Sequence, residues 1–302
     1  MPFYCMPDQQ QLFVREFGQG KPVLVLSGLG MHSWQWLPFL YQHRHQHRFI
    51  IPDWRGFGAS NNCKIPCLDA ISSHWQDLKH LIQHLQLDRF AVIAHSMGAT
   101  TAMHGMKYDH LQTHLDAYLQ IDQTPKIAVD KNWQYGLFGP QHTEFKQPLH
   151  PISSLLAMYP SARSLSDLDL ASRQFLLKHW IGFVQFQSRN PMLPFLLNTI
   201  SKPAKLQRFV LPIQRIDYLA WYIDSYLYHD QDYREALTQL SCPSTFFIGE
   251  KSSLYASPGQ KMIAQSVKNS TQIIFENSGH TPFMSEPIKF SRQLRSFLKN
   301  IV

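Results

Sequence analysis

The chain has 302 residues, of which 44% are hydrophobic and 16% charged, a balance that excludes a disordered protein and supplies a large core. That length is long for one simple domain and short for two full ones. The formal charge of +7 (28 Lys and Arg against 21 Asp and Glu) comes with no run of basic residues, so it reads as a mildly basic surface rather than a nucleic-acid interface.

In chain order, "LFVREFG" and "GKPVLVLSG" predict two strands joined by a Gly turn, the second mostly buried. "HRFIIPDWRG" predicts a third strand ending in a loop. "ISSHWQDLKHLIQHLQL" carries Trp75, Leu78, Ile82 and Leu85 at helical spacing, with Ser73 and Gln76 as a candidate capping box at its start. "RFAVIAHS" is a buried strand that passes at once into the helical "MGATTAMHGMKY", and "LDAYLQID" is the next strand. Residues 1–126 thus alternate strand and helix, the pattern of a parallel sheet covered on both faces. From Ile127 to Leu240 no strand is predicted, only apolar, aromatic-rich helical segments separated by prolines. The alternation then resumes with strand "STFFIGE", helix "SPGQKMIAQSV", strand "TQIIFEN" and a closing helix "EPIKFSRQLRSFLKN" with Pro287 in its first turn. The expected architecture is an α/β core of residues 1–126 and 236–302, a mostly parallel doubly wound sheet, with a helical lid inserted at 127–235.

Four cysteines are too few for a disulfide framework, and the Cys63–Cys67 spacing is not a zinc pattern. His43, His45 and His47 cluster in a chain with 16 histidines, so no metal site is assigned to them. The N-terminus lacks a continuous apolar stretch of the signal-peptide kind, and no run reaches about 18 apolar residues. A reducing, cytoplasmic setting is the expectation, with no membrane span. The densest basic stretch, 202–215, holds Lys202, Lys205, Arg208 and Arg215, and forms either a solvated face or a contact for an acidic carrier.

In "AVIAHSMGATT" an apolar strand ends in a small residue, then His-Ser-Met-Gly, then a helix. This is the nucleophile-elbow arrangement G-x-S-x-G with Ala94 replacing the first Gly. Such a turn holds the Ser96 hydroxyl clear of the sheet, and the helix behind it favours developing negative charge. "VLVLSGLG" ends a strand in a Gly-rich loop that can aim the Leu29 amide at an oxyanion beside the Met97 amide. "ENSGHTPFMSEP" places His280 between the last strand and the last helix, as a candidate base.

These segments together resemble the α/β-hydrolase family. The "SGLG" loop, the "DWRGFGAS" loop, the "AHSMG" elbow, the helical insertion and the "SGHTPF" loop occur in that family's order along essentially the whole chain. Ser27-Gly28 stands where the family usually has His-Gly. The resemblance also implies an acid after the strand that follows the lid, as Gly-x-x-Asp. Here that stretch is Gly249-Glu250-Lys251-Ser252, and serine cannot carry the charge that orients an imidazolium. Glu250 is an alternative acid, two residues early. Asp122 ends the strand after the nucleophile strand, where active-site groups of open parallel sheets gather. Members of the family such as the cofactor-independent dioxygenases of 3-hydroxy-4-quinolones are similar in placing their acid there. The order Ser96, Asp122, His280 also matches the family's nucleophile–acid–base order. The competing role for Asp122 is to cap the "QTPK" turn.

The resemblance implies a serine hydrolase acting on a carboxylic ester with an apolar acyl or aromatic part, a small-molecule substrate, and no cofactor. Two other readings use the same fold: a cofactor-free dioxygenase with a His280/Asp122 base pair, and a non-catalytic binder of a small ligand. Under the first reading the insertion roofs the site. Trp34 and Trp36, past the oxyanion loop, and Trp221 and Tyr222 with Tyr218 and Tyr226 in the insertion, are candidates for a substrate pocket, the insertion residues equally for the lid's own core. Oligomeric state is not legible in the sequence.

Overall fold

The computed structural model describes residues 2–187, 192–211, 213 and 215–301; the side chains of residues 187, 204 and 208 are not among those described. The chain divides into two compact units, Met1–Gly139 with Asp230–Val302, and Pro140–His229.

The first unit is built on eight strands: β1 Phe3–Cys5, β2 Gln11–Gly18, β3 Lys21–Leu26, β4 His47–Pro52, β5 Phe90–His95, β6 Leu115–Ile121, β7 Ser244–Gly249 and β8 Ser270–Phe275. They form one sheet in the order β1-β2-β4-β3-β5-β6-β7-β8. β1, β2 and β4 pair antiparallel, and every pairing from β4 onward is parallel. Parallel strands need crossovers, and helices supply them. All six residues of β5 are buried, as expected of a central strand covered on both faces.

Alternation along the strands divides the core in two. Val23, Val25, Ala91, Ile93, Leu119 and Ile121 share one cluster with Phe290, Leu294, Phe297 and Leu298 of the closing helix Pro287–Lys299. The spacing 290, 294, 297, 298 is one helical stripe, which is why this helix packs flat on the sheet. The helix Met97–Asp109 lies near the alternate set, its Gly98 so close to Leu26 that a Cβ there would come within 2.3 Å of the Leu26 carbonyl oxygen. The small residue two positions after Ser96 is therefore a packing requirement.

The helix Ala70–His84 starts earlier than the predicted capping box at Ser73 and Gln76. Its N-cap is Asp69, whose carboxylate accepts from the Ile71 and Ser72 amides at 3.0 and 3.1 Å. Ala70 and Ile71 are buried, so the first turn has core contacts as well as a cap. Between β6 and β7 the described residues hold no strand, as the sequence predicts, only helices and two isolated bridges.

The second unit is helical: His142–Lys146, Leu149–Ala157, Leu170–Gln187, Met192–Ser201 and Ile216–Leu227. Ser153 donates to Asp224 at 2.6 Å, tying Leu149–Ala157 to Ile216–Leu227. No helix among the described residues is long and apolar enough to cross a membrane.

Candidate active site

Three strand ends bring the site together. Ser96 follows β5 and caps the helix Met97–Asp109 with φ 51° and ψ −121°, a conformation strained for any residue but glycine. Its backbone is fixed on both sides: its amide donates to Ile121 O, and its carbonyl accepts from the Ala99 and Thr100 amides. Asp122 follows β6, the neighbour of β5, also at positive φ (43°). His280 follows β8 in the loop before Pro282–Ser285.

The side chains form one hydrogen-bonded line. His280 Nε2 is 2.9 Å from Ser96 Oγ, and His280 Nδ1 is 2.7 Å from Asp122 Oδ2. Asp122 is fully buried and meets four donors. Its Oδ1 accepts from the Gly249 amide (3.1 Å) and Gln260 Nε2 (2.9 Å), and its Oδ2 from Ser252 Oγ (2.7 Å) as well as His280. A buried carboxylate has about four lone-pair sites to satisfy, and here each oxygen takes two bonds. The carboxylate is not spent on the "QTPK" turn, where the Thr124 amide donates to Gln123 Oε1 instead.

Ser252 thus sits where the family resemblance implies an acid, and donates to the Asp122 carboxylate at the end of β6. Glu250, the other carboxylate considered, faces away: it pairs with Lys261 at 2.7 Å and accepts from Ser257. Those partners, Lys261 first, hold its carboxyl below the usual range.

The "SGLG" loop lies beside the elbow because β3 pairs with β5, Leu26 opposite Ala94. A Cβ on Gly28 would stand 3.3 Å from the Ser96 Cβ and 2.6 Å from His95 Nδ1, so glycine lets the loop approach. Leu29 follows in the turn closed by Met31 N to Gly28 O. Met97 is the first residue of its helix, where an amide has no partner within the helix itself.

Of the aromatic candidates, Trp34 is 56% exposed. Trp36 is 1% exposed, belongs to a core cluster of the first unit, and donates its indole N–H to Ser27 Oγ at 3.0 Å. It ends the short turn Ser33–Trp36, and its ring lies 6.0 Å from that of Phe283. Trp221 and Tyr222 lie on the helix Ile216–Leu227 of the second unit, with Tyr222 and Tyr218 buried.

Several site residues escaped the sequence reading. Gln260 and Ser252 hold the Asp122 carboxylate. Glu286 accepts from Ser278 Oγ and the Asn277 amide, bracing the loop that carries His280. His95, the residue before Ser96, is buried, and its ring lies 4.8 Å from that of His280. Its Nε2 is 3.0 Å from the His280 carbonyl oxygen, which can only accept, so the His95 proton sits on Nε2. The signal for His95 was its place in the elbow; nothing in the sequence pointed to its partner.

Burial pushes His95 down to about 3, with the neighbouring His280 adding to the effect, and burial does the same to His74, whose ring lies 4.6 Å from that of Trp54. Both are neutral in the folded chain, whereas in the unfolded chain they take up protons near pH 6.5. Between those values the unfolded state holds more protons, so stability rises with pH and is lost as pH falls from about 6.5 toward 3. The expected slope is about 1.4 kcal/mol per pH unit for each histidine. Urea midpoints at several pH values will show it, and His74→Gln should flatten it; an identical slope in that variant would refute the assignment.

Comparison with known proteins gives the family. Residues 23–293 match the Alpha/beta hydrolase family, and the chain belongs to it. It is 22% identical over 288 residues to a protein named pimeloyl-[acyl-carrier protein] methyl ester esterase from Legionella pneumophila (strain Corby), a match covering 94% of this chain and 98% of that protein. It is 24% identical over 283 residues to the protein of that name from Vibrio atlanticus (strain LGP32), covering 93% and 95%. Among solved structures, an esterase from Exiguobacterium antarcticum superposes with a TM-score of 0.69 at 20% identity, covering 99% of both chains. A bromoperoxidase from Bacillus anthracis gives 0.65 at 18%, covering 96% of this chain and 95% of that one. Likenesses at such identity speak for the fold alone.

Proposed function

We propose that the protein is a serine hydrolase that cleaves a carboxylic ester with an apolar acyl or aromatic part through an acyl-enzyme. The observation that carries this reading is the line Ser96 Oγ–His280 Nε2 and His280 Nδ1–Asp122 Oδ2, at 2.9 and 2.7 Å. In this mechanism Ser96 Oγ attacks the ester carbonyl carbon while His280 Nε2 takes its proton. The Leu29 and Met97 amides bind the oxyanion. The C–O bond to the alcohol breaks, and His280 returns its proton to the departing oxygen. A water, deprotonated at the same Nε2, then releases the carboxylic acid and restores Ser96. Asp122 holds Nδ1 protonated and stabilises the imidazolium.

The insertion, residues 127–235, acts as a lid in this reading, with Trp34, Trp221 and Tyr222 as substrate contacts. The relatives' name, pimeloyl-[acyl-carrier protein] methyl ester esterase, adds a methyl ester on a carrier-bound acyl chain to the substrates for testing.

The test is turnover of short p-nitrophenyl acyl esters. A burst of p-nitrophenol equal to the enzyme, with a matching acyl mass gain on the peptide containing Ser96, is expected. Absence of turnover on these and on acyl methyl esters would overturn the proposal. Oxygen uptake with a hydroxyquinolone, independent of Ser96, would favour the dioxygenase reading instead. Ligand binding without turnover would favour a non-catalytic binder.

A further inference from the structure

The charge surplus of this chain is confined to one segment. Residues 170–216 contain seven Lys and Arg and no Asp or Glu, while the rest of the chain holds 21 of each sign. The whole surplus of +7 therefore lies in these 47 residues, spread out rather than in a run. Some of it is engaged: Arg215 pairs with Asp217, and Arg173 donates to the Leu165 and Leu168 carbonyls. Arg189 and the Arg208 side chain lie outside the described residues. Lys178, Lys202 and Lys205 are exposed.

The same segment is rich in exposed apolar side chains. It holds eight of the nineteen large hydrophobic side chains exposed among the described residues. The helix Met192–Ser201 has no buried residue, and Phe195 is 66%, Leu196 53% and Leu193 38% exposed. Between this helix and Leu170–Gln187 runs an open groove of about 1140 Å³, lined in part by Leu177, Ile181 and Phe195 with Lys178 and Lys202.

Exposed Phe and Leu side chains are unfavourable in water, and a patch of this kind marks an interaction surface. The lysines give the partner's sign: it is negative. A second copy of this chain would bring like charge against like. An acidic protein would satisfy the lysines, but a groove on a protein covers one stripe of a helix. Pro194, Leu197 and Ile200 are half-buried, while Met192, Leu193, Phe195 and Leu196 form a wide exposed apolar face, which a fluid apolar medium covers better than one groove. At ten residues the helix is half the length needed to span a bilayer, and it suits lying in the plane of the interface.

We propose that residues 170–216 dock on an anionic phospholipid bilayer. Leu193, Phe195 and Leu196 enter the boundary between headgroups and acyl chains, and Lys178, Lys202 and Lys205 meet the lipid phosphates.

The test uses the full chain sedimented with phosphatidylcholine vesicles, with and without about one-third phosphatidylglycerol. Binding is expected on the anionic vesicles only, weakening as salt rises. The triple variant Lys178→Gln/Lys202→Gln/Lys205→Gln should partition about 100-fold more weakly. Phe195→Ser/Leu196→Ser should lose binding with the lysines in place, while circular dichroism confirms that both variants fold. Equal binding to neutral vesicles, or none to anionic ones, would overturn the proposal. So would a lipid-free dimer that Phe195→Ser dissolves, or capture of an acidic protein by a chain that ignores vesicles.

Discussion

Ser96→Ala is expected to lower kcat by about 10⁶ on any ester the protein turns over, and His280→Ala by a similar factor. The two losses should not add in the double variant, because nucleophile and base act as one unit: without the Oγ, the base at 2.9 Å has no proton to take. The residual rate, about 10³ above water, would belong to the oxyanion amides and to substrate positioning. KM should change little, since the alanine removes no contact outside the reacting centre. Side-chain repacking is a weak alternative explanation of a loss, as Ser96 is held through its backbone, by Ile121 O and by the first turn of its helix. A Ser96→Ala variant that keeps more than about a hundredth of the wild-type kcat would mean that Ser96 is not the nucleophile.

The sheet was legible in the sequence because β3 to β7 are runs of apolar residues long enough to be covered on both faces. β1, three residues at the sheet edge, leaves no such pattern. Local signals also singled out Ser96 and His280 as candidates, each in a short motif between a strand and a helix. What the sequence could not display were bonds between distant segments. Ser252 reads as a missing acid in the chain, yet in space it donates to Asp122 from 130 positions away. Trp36 reads as a residue beyond an active-site loop, yet its indole reaches back to Ser27 and the ring joins the core. The charge surplus reads as a general property until burial shows that the acid-free segment also carries eight of the nineteen large hydrophobic side chains exposed among the described residues.

Asp122→Asn should lower kcat by about 10⁴, whereas Glu250→Gln should leave it within a few-fold. The asparagine keeps the shape and most hydrogen bonds but offers an amide N–H or a neutral oxygen where His280 Nδ1 needs a charged acceptor. The imidazolium formed as Ser96 attacks would lose its counter-charge, so the cost falls on kcat rather than KM. Glu250 touches Lys261 and Ser257 and nothing in the line, so its charge has no such use. The position of Ser252 allows a stricter test. Its Oγ is 2.7 Å from the same Oδ2 that meets His280. Asp122→Asn/Ser252→Asp therefore returns a carboxylate to the neighbourhood of Nδ1 and should recover at least about tenfold of the lost rate, a part of the 10⁴ that the acid contributes. Ser252→Asp alone should do the opposite. Two carboxylates at that distance cannot both ionise, so one takes a proton and the activity profile shifts to higher pH. If Asp122→Asn stayed within tenfold of wild type while Glu250→Gln collapsed, the acid would be Glu250 and the Asp122 contact merely structural. If both single variants collapsed with unfolding, circular dichroism would show it, and recovery in the double variant would still identify the carboxylate as the group that His280 requires.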